Sequence, residues 1–140
     1  MAKQTGLGDY LAVDDSGGTA RDISNDLSGG YGINIAQELL ETTGLDKSAR
    51  ERLTGMSDGD VTLTGTFNPA SNKSHDVFKT RTTARTVDIR IGGNTSTNPK
   101  LAMEMMIASY NLSRDSSGAM TWTATLNLSN GTVPAWTTVA

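Results

Sequence analysis

Residues 61–67, VTLTGTF, alternate strictly, with Val61, Leu63 and Phe67 on one side and Thr62, Thr64 and Thr66 on the other. A period of two is the mark of a strand with one face buried. RTVDIRI, residues 85–91, repeats it and sets Val87, Ile89 and Ile91 against Thr86, Asp88 and Arg90. In AMTWTATLNL, residues 119–128, Met120, Trp122, Ala124, Leu126 and Leu128 point inward and Thr121, Thr123 and Thr125 outward. The preceding LAMEMMIASYNLSR favours helix at its start by propensity, but its second half alternates at Met106, Ala108, Tyr110 and Leu112. With DSSG as the turn, residues 102–128 are expected to form a β-hairpin. GDYLAV, residues 8–13, is a short strand closed by the turn signal DDSGG, and a second strand near residues 19–23 completes an opening hairpin.

Helix signals are sparse. Asn68 followed by Pro69 offers an N-cap and a first helical position, so a helix is expected over 70–79 that buries Val77 and Phe78. Residues 33–56 begin with β alternation at Ile33 and Ile35 and continue as a mixed polar stretch carrying Leu39, Leu40, Leu45 and Leu53. Ser48 with Glu51 fits a capping box and predicts a short helical turn. Residues 33–56 are long for a connection in a compact domain, and connections of such length tend to be functional or mobile. About seven short strands and one helix, without repeat or linker, predict a single mainly β domain over 1–140, built as a sandwich or barrel.

Composition sharpens this picture. Threonine, at 20 residues, and glycine, at 15, are abundant, which suits half-buried pleated surfaces joined by tight turns. Leu, Ile, Val and Phe together number 26, a lean core for a small domain, so self-association is expected to supply further burial. Residues 1–60 hold 11 acidic and 5 basic side chains, whereas 61–140 hold 4 and 7. Such asymmetry reads either as a chance distribution over solvated loops or as head-to-tail association of unlike faces. No Lys/Arg cluster is dense enough for tight phosphate binding. Cysteine is absent, which removes disulfides, thiolate metal sites and a cysteine nucleophile. MAKQTGLGDYLAV lacks the apolar centre of a secretory signal, and no apolar run approaches a bilayer span. The expectation is a soluble protein made in a cytoplasm, with no membrane anchor.

Candidate chemistry adds little. His75 beside Asp76 has no nucleophile pattern to serve and is expected on a helix surface. Asp14, Asp15, Asp22, Asp58 and Asp60 lie in turn-like stretches without the ligand spacing of a Ca²⁺ loop. Gly6, Gly8, Gly92 and Gly93 lack the strand–loop–helix setting of a phosphate cradle. No catalytic residue, metal or cofactor is expected. Trp136, beside Pro134, is expected to dock the C-terminal tail on its own fold or on a neighbour.

Several stretches, in matching order, resemble the major tail proteins, or tail tube proteins, of long-tailed, siphovirus-type phages of actinobacteria. They are MAKQTGLGDYL, RDISNDLS, TGLDKSARERL, DGDVTLTGTFNPASNKSHDVF, YNLSRDSSGAMTWTATL and NGTVPAW. The resemblance implies a tail-tube-type β-sandwich with one flanking α-helix and a long early loop. It implies a non-enzymatic virion protein, assembled in the bacterial host cytoplasm, whose hexameric rings stack head to tail. The inner sheets of a ring would join into a barrel around a channel for genome delivery. The implied partners are other copies of the chain, a tape-measure protein, tail terminator and tail-tip proteins, and phage DNA that passes without tight binding. The early loop would reach the adjacent ring through Leu39, Leu40, Leu45, Asp46, Lys47, Arg50, Arg52 and Leu53. Thr62, Thr64 and Thr66, or Thr121, Thr123 and Thr125, would face the lumen or a neighbouring subunit. Arg90 would suit such a wall only if paired, for instance with Asp88. A capsid decoration or tail-end protein, and a monomeric carbohydrate-binding β-sandwich, are the alternative readings.

Overall fold

The computed structural model describes residues 4–140; Met1 to Lys3, the start of the stretch considered above for a leader, lie outside it. Among the described residues the strands are β1 (Tyr10–Asp14), β2 (Ala20–Asp22), β3 (Tyr31–Glu41), β4 (Arg52–Thr66), β5 (Ala84–Arg90), β6 (Pro99–Arg114), β7 (Met120–Leu128) and β8 (Trp136–Thr138). A single-turn 3-10 helix covers Ser24–Asp26, and helix α1 covers Ser74–Phe78. The strands form one antiparallel sheet in the order β2-β1-β5-β6-β7-β4-β3, with β8 also alongside β6. The chain is therefore mainly β, in line with the sandwich architecture expected from its patterning.

The two layers arise from β6. Its first part pairs with β5 through residues 100–106 and its second with β7 through 105–114, so the partners overlap only at Met105 and Met106. The strand leaves one layer and enters the other. Leu11, Val13, Val87, Ile89, Leu101 and Met103 then face Val61, Leu63, Trp122, Ala124 and Leu126 across one core. A bulge at Ala108 separates the pairs Ile107–Leu126 and Ser109–Thr125, inserting one residue and reversing which parity faces inward. Met103, Met105 and Ile107 face the core before it; after it Tyr110 packs against the core, and Leu112 lies on the same side but is exposed. The alternation read from Met106 to Leu112 is thus corrected: Met106 and Ala108 belong to the opposite face.

Helix α1 is shorter than its sequence signals suggest. Asn72 has φ 66°, a left-handed conformation that breaks helical continuity from residue 70. Asn68 Oδ1 accepts from the Ala70 amide at 3.1 Å in a local turn instead of capping the helix. The buried Asp26 serves that end, accepting from the Ser74 amide at 3.1 Å and from Asn68 Nδ2 at 2.9 Å. Val77 and Phe78 are buried as expected, and the Phe78 ring lies 5.2 Å from Trp122 and 5.7 Å from Tyr110.

Arg85 occupies an inward position and is fully buried. Its guanidinium donates to the carbonyls of Asp14 (3.0 Å), Val77 (2.6 Å) and Thr80, and to Thr83 Oγ1 (3.0 Å). Burial pulls its pKa below the usual guanidinium value, while the Asp15 and Asp14 carboxylates act in the other direction. One side chain thereby ties α1 and the segment after it to β1. Arg85→Met would keep the aliphatic stem but leave three carbonyls without that donor, and each unmet buried group costs about 1–3 kcal/mol. A loss of about 3 kcal/mol is expected in urea unfolding.

Candidate assembly surfaces

The cross-strand register answers whether the two threonine rows serve one surface or two. Thr62 lies opposite Thr125, Thr64 opposite Thr123 and Thr66 opposite Thr121, so both rows form a single face on adjacent strands. After the Ala108 bulge, β6 contributes Ser109, Asn111 and Ser113 opposite the same threonines. On the other side β3 contributes Gly32 opposite Thr62 and Asn34 opposite Asp60. Directly opposed threonines stabilise the pairing modestly. No lysine or arginine stands in these rows, and the first carboxylates are Asp60 and Asp58, where β4 leaves β7.

The outer face of the other layer differs. There Asp88, Arg90, Lys100 and Glu104 alternate with the core residues. Arg90 pairs with Asp88 at 2.9 Å, which meets the pairing condition set for it, and its guanidinium carbon lies 4.9 Å from the Tyr10 ring centroid. These charges belong to the layer that does not carry the two threonine rows.

The long early loop is largely strand. β4 pairs with β7 only from Asp60 onward, so β3 and β4 continue beyond the body as a two-stranded arm closed by residues 42–51. No helical turn forms at Ser48: the Glu51 amide, which a capping box would direct to Ser48 Oγ, donates instead to Thr43 Oγ1 at 2.9 Å. Within the arm Gly55 and Met56 oppose Glu38, making a second bulge between Gln37–Ser57 and Leu39–Thr54. Leu40 lies directly opposite Leu53, while Leu39 and Thr54 occupy the other face. Leu39, Leu40 and Leu53 are exposed, and Leu45 and Met56 reach 109% and 82%. A two-stranded ribbon with apolar groups open on both faces gains little burial of its own. At the turn, Arg50 pairs with Glu41, and Lys47 Nζ lies 4.0 Å from both Asp46 and Glu51. Arg52, opposite Glu41, is exposed. An open groove of about 450 Å³ runs between the base of the arm and the segment after β7, lined by Gln37, Met56, Asp58, Leu128, Gly131 and Val133.

Trp136 opens β8, opposite Leu101. The tail docks on its own chain: the Val139 amide donates to the Asn98 carbonyl, and the Thr97 amide to that of Val139, both at 2.9 Å. Val139 is buried, yet the Trp136 side chain stays 53% exposed. His75 is a partly buried packing residue, its Nδ1 3.1 Å from the Tyr110 hydroxyl and its ring centroid 5.0 Å from that of Phe67. Among the described residues no three His, Asp or Glu side chains are grouped to hold a metal ion, and no helix is long and apolar enough to cross a membrane.

Sequence reasoning found the threonine rows and the leucines of the arm but missed Ser109, Asn111 and Ser113. Their signal was present in the parity of the threonines that they oppose, but hidden by the bulge. No family model and no curated protein matches this chain. Solved structures do. A chain from the tail of an empty gene transfer agent particle, computed with helical refinement and C6 symmetry, is 18% identical with a TM-score of 0.72, over 99% of this chain and 100% of that one. A chain from the virion of a native gene transfer agent particle is 17% identical with a TM-score of 0.70, again over 99% and 100%. From end to end, then, this chain has the fold of those particle chains.

Proposed function

We propose that the protein is a non-enzymatic structural subunit of a virion tail, a single domain that self-assembles into hexameric rings stacked head to tail as a tube. The observation that carries this reading is the whole-length likeness to a chain of a tail refined helically with C6 symmetry. In the tube the threonine face lines the channel. Nucleic acid is held chiefly by Lys and Arg on its phosphates, and a hydroxyl-lined wall without them lets DNA pass. The arm reaches the adjacent ring with its exposed leucines, and the β8 segment with Trp136 packs at a subunit boundary. The remaining partners are a tape-measure protein, tail terminator and tail-tip proteins, in a long-tailed phage of actinobacteria assembled in the host cytoplasm. No cofactor is required.

Negative-stain electron microscopy of the concentrated protein tests this. Hollow tubes with a regular axial repeat are expected; monomers that stay dispersed at every concentration and salt tried would count against it. The channel assignment has its own test. Thr123→Lys should leave tubes intact but make them retain DNA, with retention falling steeply as salt is raised. Tubes of this variant that hold no more DNA than the parent would remove the threonine face from the channel.

A further inference from the structure

Asn130 is followed by glycine, alone among the nine asparagines of the chain. Asn68 and Asn98 precede proline, which has no amide hydrogen, and Asn34, Asn111 and Asn127 stand in strands β3, β6 and β7. Residues 130 and 131 lie in the connection from β7 to β8, and both are exposed. The Ser129 amide still donates to the Glu104 carbonyl at 3.2 Å, but that of Gly131 donates to no acceptor among the described residues. Gly131 has φ 76°, a conformation open chiefly to glycine, and nothing lies within 4 Å of where a Cβ would stand. Asn130 Oδ1 accepts from the Thr132 amide at 3.1 Å.

A free nucleophile therefore stands beside a polarised electrophile. A main-chain nitrogen can attack the side-chain carbonyl of the preceding residue by closing a five-membered ring, and glycine resists that closure least. The hydrogen bond from Thr132 draws electron density from Asn130 Cγ and is placed to hold the negative charge that grows on Oδ1 during attack. No ladder bond has to break before Gly131 turns toward that carbon.

We propose that Asn130 is a modification site, at which the folded protein converts this asparagine to aspartate and isoaspartate without an enzyme. The Gly131 nitrogen gives its proton to hydroxide and bonds to Cγ. The Cγ–Nδ2 bond breaks, and Nδ2 takes a proton from water and leaves as ammonia. Water then opens the succinimide: attack at Cγ yields aspartate, and attack at the main-chain carbonyl yields isoaspartate. Both products carry a carboxylate in place of the amide, and isoaspartate also lengthens the backbone by one methylene.

The new charge has a defined neighbour. A hollow of about 280 Å³ between this connection and β6 is lined by Glu104, Asn130, Pro134 and Thr137, with no Lys or Arg in its wall. A second carboxylate there meets only like charge. The connection leads into β8, whose hold on the body includes the bonds that link Val139 with Asn98 and Thr97. Conversion at residue 130 thus weakens the anchoring of the tail strand and leaves the core intact. It concerns the single subunit and does not depend on assembly.

The test incubates dispersed, folded protein in mildly alkaline buffer and samples it by peptide mass spectrometry, with enzymatic isoaspartyl methylation to tell the two acids apart. The peptide holding Asn130 should gain the amide-to-acid mass first, at least several-fold faster than peptides holding the other asparagines, with isoaspartate the larger product. Asn130→Gln should react at least several-fold more slowly, because its ring would be six-membered. In converted protein, hydrogen exchange at the Thr97 and Val139 amides should quicken, and Asn130→Asp should reproduce the part due to charge. An Asn130 that keeps its amide throughout, or that reacts after another asparagine, would overturn the proposal. Unchanged exchange at both amides after conversion would overturn the weakening of β8.

Discussion

Gly65→Ala is expected to leave little or no folded protein, with a destabilisation on the order of 4 kcal/mol, above the usual range for overpacking. Gly65 sits at an inward position of β4, where Leu63 and Trp122 bury their side chains. A Cβ there would lie 1.6 Å from the Asp26 carbonyl oxygen, 2.7 Å from its carbon and 3.1 Å from Leu27 Cα. All three are backbone atoms, so no rotamer change relieves the clash. Nor can the segment retreat freely, because the Asp26 amide donates to Ile23 O at 3.0 Å and its carboxylate holds Ser74 and Asn68. Gly32→Ala is the matched control, since nothing lies within 4 Å of a Cβ at that position, and it should change stability by less than about 1 kcal/mol. Urea unfolding followed by the fluorescence of the buried Trp122 reads both. A Gly65→Ala protein with the parental midpoint would refute the packing described for the Ser24–Asp26 turn.

The second large effect concerns assembly and leaves the subunit folded. Leu40→Asp with Leu53→Asp should abolish tubes at concentrations where the parent forms them, with the urea midpoint unchanged within about 0.5 kcal/mol. These leucines face each other on a ribbon that no third strand covers, so the isolated subunit loses almost no burial. In a stacked tube each contact would bury leucines worth about 1.5–3 kcal/mol apiece, and a buried carboxylate would add a desolvation penalty. Normal tubes from this variant would remove the arm from the assembly contacts. Charge reversal is better placed at Arg52 than at Arg50, because Arg50 already pairs with Glu41 inside its own arm and its reversal would disturb the arm itself.

Where one face is buried and the other wet, the alternation of residue types revealed the strands directly: Val61 and Leu63 for β4, Val87 and Ile89 for β5, Trp122 to Leu126 for β7. It failed where that contrast vanishes. Residues 52–58 of β4 belong to the arm, with neither face buried, so nothing selects an alternating pattern and the segment reads as loop. It failed again at Ala108, where one inserted residue reverses the phase without changing composition. Arg85 was passed over because a charged residue at an inward position contradicts the pattern, and its carbonyl partners come from residues 14, 77 and 80. The threonine rows were legible one by one. Their union into one face depends on pairing between strands nearly 60 positions apart, which periodicity does not encode.

The sharing of β6 between both layers has a mechanical consequence. Inter-strand hydrogen bonds lie across the strand axis, so a pull along β6 loads its bonds to β5 and to β7 together, in shear and not by peeling one at a time. The two layers cannot slide past one another without breaking one of these sets whole. A body of this kind is stiff along its strands, and in the proposed tube bending would fall to the contacts between copies, above all to the slender two-stranded arm.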